Sequence, residues 1–104
     1  MFDNINALEF QKAIEASPES IILDVRTPME FQEGHLKGAV LLDFYSRTIQ
    51  ADIDALDKSK EYLIYCKSGA RSASACTYMA QSEFAKVTNM EGGIMAWQGD
   101  VEVG

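Results

Sequence analysis

Four short apolar runs divide the chain, each closed by polar or turn-forming residues. Ile21-Ile22-Leu23 leads into Asp24-Val25-Arg26, and Ala39-Val40-Leu41-Leu42 follows a glycine. Tyr62-Leu63-Ile64-Tyr65 leads into Cys66, and Val87-Thr88-Asn89-Met90 precedes Gly92-Gly93. Runs this short, unbroken rather than alternating, read as strands buried on both faces.

Helical signals lie between them. Asn6-Ala7-Leu8-Glu9 reads as a capping box, with Leu8, Ala13 and Ile14, and Phe10 nearby, giving the following helix an apolar face until Ser17-Pro18. Thr27 suits the cap of a second helix, Pro28 its first position and Glu30 the reciprocal box position, before Gly34 ends it. Further helices are expected over 48–56 and 70–82, with a short helical turn after Gly92-Gly93 through Trp97. Strands alternating with helices predict an α/β fold, a mostly parallel sheet with helices on both faces. No repeat or linker interrupts the chain, so residues 1–104 read as one domain.

Composition narrows the function classes. With 47% hydrophobic and 24% charged residues the chain reads as globular, and no segment approaches the ~20 apolar residues that span a bilayer. MFDNINALEF lacks a cationic start and a long apolar stretch, so neither a signal peptide nor a membrane role is expected, and the cytoplasm is the expected location. A net charge of −7 argues against nucleic-acid binding, which needs phosphate neutralisation. Two cysteines ten residues apart and one histidine match no metal or CxxC pattern, so no metal or other cofactor is expected.

In parallel sheets ligands bind beyond the carboxyl ends of the strands, and Cys66 stands at such an end. Position alone favours a buried filler thiol. The residues that follow change that reading. Lys67-Ser68-Gly69-Ala70-Arg71-Ser72 runs straight into a helix, so successive N–H groups can form an anion nest, with Gly69 permitting the tight turn and Lys67 and Arg71 adding charge. A free thiol is only about 3% ionised at pH 7, and a helix terminus shifts that by at most about 1.5 units. The N–H cradle and two cations add enough to predict an activated Cys66 thiolate with no histidine base. Cysteine phosphatases place five residues between cysteine and arginine; here four intervene, a smaller cradle that suits one sulfur atom carried on Cys66.

The loop Cys66-Lys67-Ser68-Gly69-Ala70-Arg71-Ser72 resembles the active-site pattern of single-domain rhodaneses. Two further segments resemble that family's signatures: Asp24-Val25-Arg26-Thr27-Pro28-Met29-Glu30-Phe31 with Gly34-His35-Leu36-Lys37-Gly38-Ala39, and Glu91-Gly92-Gly93-Ile94-Met95-Ala96-Trp97. The resemblance implies a rhodanese-like fold with a central five-stranded sheet, and a thiosulfate sulfurtransferase that moves sulfur through a Cys66 persulfide. Lys67 to Ser72 would bind the substrate, a small anionic sulfur donor. The acceptor would be cyanide in an assay, or a thiol or protein in a cell, and the expected state is a monomer. A dedicated protein-to-protein sulfur relay, a non-catalytic interaction module, and a phosphatase or arsenate reductase are the competing readings. One departure stands out: where the family ends its loop helix with glycine before an aromatic residue, this chain has Glu83 before Phe84.

Other residues are read as structural. Cys76 and Trp97 are expected in the core, His35 in a hydrogen-bonded scaffold, Asp24 and Arg26 in a structural pair, and Asp52, Asp54 and Asp57 on a solvated face.

Overall fold

The computed structural model describes residues 1–104. Strands β1 (Asp3–Ile5), β2 (Ile21–Asp24), β4 (Val40–Leu41), β5 (Glu61–Tyr65) and β6 (Lys86–Met90) form one parallel sheet in the order β1-β6-β5-β2-β4. A separate antiparallel pair joins β3 (His35–Leu36) to β7 (Val101–Glu102). The helices are α1 (Ala7–Ala16), α2 (Pro28–Glu33), α3 (Ile49–Asp54), α4 (Ala70–Gln81) and α5 (Gly93–Ala96).

Side chains alternate across the central strands and feed two cores. Leu23, Tyr62, Ile64 and Val87 pack with Ile53 of α3 and Ala75, Cys76 and Met79 of α4. Ile22, Leu63, Tyr65 and Met90 face the other way, against Phe10 of α1, with Ile94 and Trp97 joining at the edge. Both faces are therefore covered, which explains why the strand sequences are unbroken apolar runs rather than alternating ones.

Both predicted capping boxes form. Asn6 Oδ1 accepts from the Glu9 N–H at 2.9 Å while Glu9 accepts from the Asn6 N–H at 3.0 Å. Thr27 and Glu30 make the same reciprocal pair, with Pro28 at the first helical position. Several expectations need correction. Leu8 points to solvent, and Phe10 is the buried anchor of α1, because the buried face runs through Ala7, Phe10, Ala13 and Ile14 and Leu8 lies roughly 200° around the helix from Phe10. Only Val40 and Leu41 of the 39–42 run are strand, pairing with β2 at the sheet edge, and the 48–56 helix is limited to Ile49–Asp54. Trp97 is half-buried, edge-on to Phe10 at 6.4 Å, while its neighbour Met95 is exposed.

At the carboxyl end of β2, Asp24 and Arg26 form the expected structural pair. The Arg26 guanidinium donates to both Asp24 oxygens at 2.7–3.1 Å and to the Gly34 carbonyl, and Tyr65 Oη donates to Asp24 Oδ2 at 2.6 Å. Burial and the neighbouring carboxylate push the Tyr65 hydroxyl well above its ordinary pKa, so it remains a donor. His35 is also scaffold: its ring stacks on Phe31 at 3.7 Å, and Nδ1 lies 2.9 Å from the Phe31 carbonyl oxygen. Asp52, Asp54 and Asp57 line the outer side near α3; Asp52 and Asp57 accept the local hydroxyls of Thr48 and Ser59, and Asp54 accepts that of Tyr78 on α4.

Candidate active site

Strand β5 ends at Tyr65 and delivers Cys66, 1% exposed, to the start of a turn that becomes α4. Gly69 caps that helix with φ +106°, a left-handed conformation that side chains resist. The turn brings three donors onto one sulfur: the Gly69 N–H at 3.1 Å, the Ser72 N–H at 3.4 Å and the Ser72 hydroxyl at 3.3 Å. Burial of Cys66 opposes ionisation. The Ser72 hydroxyl and the N–H groups of Ser72, Gly69 and Ser68 outweigh it, holding the thiol below its ordinary pKa. Cys76 shows the contrast: buried without such donors, its thiol is pushed up to about 12, and it serves as core.

The donors point at sulfur because the loop carbonyls are held elsewhere. Helix α5 approaches from below, where the Ile94 N–H donates to the Cys66 carbonyl at 2.9 Å and the Met95 N–H to that of Lys67 at 3.1 Å. The Gly69 carbonyl accepts from the Ala73 N–H and Asn89 Nδ2 at 3.0 and 3.4 Å, and the Ser72 hydroxyl, 3.2 Å away, shares its single proton between this carbonyl and the sulfur. With its acceptors tied back, the turn offers its N–H side inward, an anion nest of the kind expected at a helix start.

The predicted loop residues separate into three roles. Ser72 and Gly69 touch the sulfur directly and Ser68 turns its backbone N–H toward it, while Lys67, Ala70 and the rest of Ser68 lie exposed around it. Arg71 turns to the rim. Its Nη1 and Nη2 donate to Glu30 Oε1 and Oε2 at 2.9 and 3.0 Å, and its guanidinium carbon lies 5.6 Å from the centre of the Tyr45 ring. The hydrogen bonds from Arg71, helped by Thr27, pull the Glu30 carboxyl down to about 2, while the Arg71 guanidinium is raised.

Sequence reasoning did not place Glu30, Tyr45 or Gly93 at the site. The signals for Glu30 were a capping box and its place in the Asp24–Phe31 segment, both local, whereas the Arg71 pair spans 41 positions. His35 is not among the partners of Cys66. A groove of about 490 Å³, walled by Phe2, Asn4, Gly69, Ala73 and Thr77 among others, runs behind the loop and does not include Cys66.

Comparison with known proteins agrees with this geometry. Residues 6–100 match the Rhodanese-like domain family. The chain is 38% identical over 98 residues to the Bacillus subtilis protein named "Putative sulfurtransferase YtwF", covering 94% of this chain and 92% of that one. It is 32% identical over 97 residues to a sulfurtransferase of Allochromatium vinosum, covering 93% and 89%. A tRNA uridine(34) hydroxylase of Yersinia enterocolitica is 30% identical over 105 residues, but this chain spans only 30% of its length. The crystal structure of a rhodanese-like domain protein from Staphylococcus aureus superposes with a TM-score of 0.84 at 29% identity, covering 99% of both chains. With its loop, its sheet and nearly its whole length accounted for, the chain belongs to the rhodanese-like family, whose relatives of the same size are named sulfurtransferases.

Proposed function

We propose that the protein moves sulfane sulfur from a small anionic donor such as thiosulfate to a nucleophilic acceptor, through a persulfide on Cys66. The observation that carries this reading is the convergence of three donors on Cys66 Sγ within 3.4 Å. Hydrogen bonds to a charged acceptor are worth roughly 1.5–3 kcal/mol each, so they favour an anion on sulfur without a base. The Cys66 thiolate attacks the outer sulfur of thiosulfate, a new S–S bond forms, the old one breaks, and sulfite leaves with its electron pair. The persulfide anion then sits among the N–H groups of the Lys67–Ser72 turn. Cyanide, a thiol or a protein thiol attacks the terminal sulfur and regenerates the thiolate.

Both cysteines are free thiols, which suits work in a reducing compartment such as the cytoplasm. No helix is long and apolar enough to cross a membrane. Intact-protein mass spectrometry provides the test: thiosulfate should add one sulfur atom and cyanide should remove it. Cys66→Ser should carry none. Sulfur loading equally onto that variant, or turnover of an aryl phosphate without any loading, overturns the reading.

A further inference from the structure

We propose that Glu30 is a specificity-determining residue: by holding both terminal nitrogens of Arg71 it withdraws that cation from incoming anions, so the site favours sulfane-sulfur donors with one negative charge over those with two. This rests on the sulfur-transfer reading above.

Glu30 is held firmly. Its Oε1 accepts from Arg71 Nη1, from the Thr27 N–H at 3.0 Å and from the Thr27 hydroxyl at 3.1 Å, while Oε2 takes Arg71 Nη2. The pair is largely enclosed, with side-chain exposures of 18% for Arg71 and 25% for Glu30, and the guanidinium carbon lies 5.6 Å over the Tyr45 ring. A fork-to-fork pair of this kind uses the geometry that a sulfonate or carboxylate ligand would otherwise occupy. Glu30 is thus an internal counter-ion in the place of a donor's oxygens.

The charge count at the mouth follows. Arg71 and Glu30 cancel, leaving Lys67 as the loop's cation without an ion-pair partner. Against it stand the Cys66 thiolate and a protein of net charge −7. A dianion meets about twice the repulsion of a monoanion at the same distance. The neutral donors on the sulfur serve both equally, so discrimination falls to the rim.

Two donors of like chemistry separate charge from reactivity. Thiosulfate, a dianion, gives its outer sulfur and releases sulfite; methanethiosulfonate, a monoanion, gives its outer sulfur and releases methanesulfinate. In both, the donor S–S bond breaks as the Cys66 S–S bond forms, and the leaving group takes the electron pair. Glu30→Gln keeps an oxygen that can accept from the Thr27 N–H, so the helix start is preserved. We expect the kcat/KM ratio of thiosulfate to methanethiosulfonate to rise about tenfold in Glu30→Gln, chiefly through KM, with the gain shrinking at high salt. A purely structural residue would lower both donors together. An unchanged ratio, or one shifted toward methanethiosulfonate, overturns the proposal. A measurement on the unaltered protein is independent of how the variant folds: with Arg71 neutralised, added salt should speed loading by thiosulfate, and a fall in rate overturns the proposal. If neither donor places sulfur on Cys66, the sulfur-transfer reading itself fails; if both do and the ratio ignores Glu30, only its role in selection fails.

Discussion

Gly93 presses against the Cys66-Lys67 backbone: a Cβ on Gly93 would stand 2.6 Å from the Cys66 carbonyl oxygen and closer still to the Lys67 carbonyl. Gly93 also has φ +61°, so both space and backbone conformation select glycine. The close approach lets the next two N–H groups, of Ile94 and Met95, hold the loop carbonyls and leave the loop's N–H groups facing the sulfur. Gly93→Ala should push α5 away from the loop and cost about 1–3 kcal/mol of stability. Urea denaturation measures that loss. Alkylation of Cys66 should slow in the folded variant as the carbonyls are released, and an unchanged alkylation rate would show that α5 does not shape the cradle.

Ser72 gives Cys66 both its backbone N–H and its hydroxyl, and the hydroxyl leads the forces that favour the thiolate. Ser72→Ala removes that bond while leaving the N–H in place. The thiol should titrate at higher pH, and alkylation by iodoacetamide at pH 7 should slow about tenfold, the loss expected for one hydrogen bond to a charged acceptor. Ser72 is buried and its hydroxyl also reaches the Gly69 carbonyl, so a small loss of stability should accompany the change. A pH–rate profile identical to that of the unaltered protein would remove the hydroxyl from the mechanism.

The central strands were legible because double-sided burial writes itself as continuous apolar sequence, and the caps of α1 and α2 because their partners lie three residues apart. The cysteine loop was legible for a similar reason: its donors and acceptor fall within seven consecutive residues. Features made by distant partners were not. Strand β1, Asp3–Ile5, has little strand character of its own and exists through its register with β6, while β3 and β7 are two residues each. The same blindness hid the Glu30–Arg71 pair, since each residue already had a local explanation, one in a helix cap and the other in a cationic loop.

That pair also makes stability depend on pH. Glu30 is held at about 2, below its ordinary 4.5, mainly by the Arg71 hydrogen bonds. A carboxyl depressed on folding adds stability that is fully present above its unfolded pKa and is lost as pH falls through its folded one. The contribution should therefore be complete above pH ~4.5 and vanish toward pH ~2. Solvent screening at a rim site limits it to about 1 kcal/mol. Urea midpoints of the unaltered protein and Glu30→Gln should differ at pH 7 and converge as the acid limit is approached; a constant gap across that window would assign the stabilisation to packing.

The end of α4 carries a strain that can be removed. The Phe84 N–H donates to the Met79 carbonyl at 3.2 Å, the long bond of a Schellman cap, which requires the intervening Glu83 to turn left-handed. Glu83 does so, with φ +69°, the one non-glycine residue of the chain at positive φ. A left-handed L-residue costs roughly 1–2 kcal/mol, while glycine there pays mainly the entropy of ordering a freer unfolded chain. Phe84 makes the turn worthwhile, because the cap delivers its ring edge-on to Tyr62 at 5.5 Å within the core beneath α4. Glu83→Gly should accordingly stabilise the protein by about 0.5–1 kcal/mol, raising the urea midpoint without changing the denaturant slope. Because Glu83 lies just past the far end of α4 from the cysteine loop, sulfur loading on Cys66 should stay the same in the variant. A lower midpoint would mean that the Glu83 side chain contributes more through its surroundings than its backbone costs.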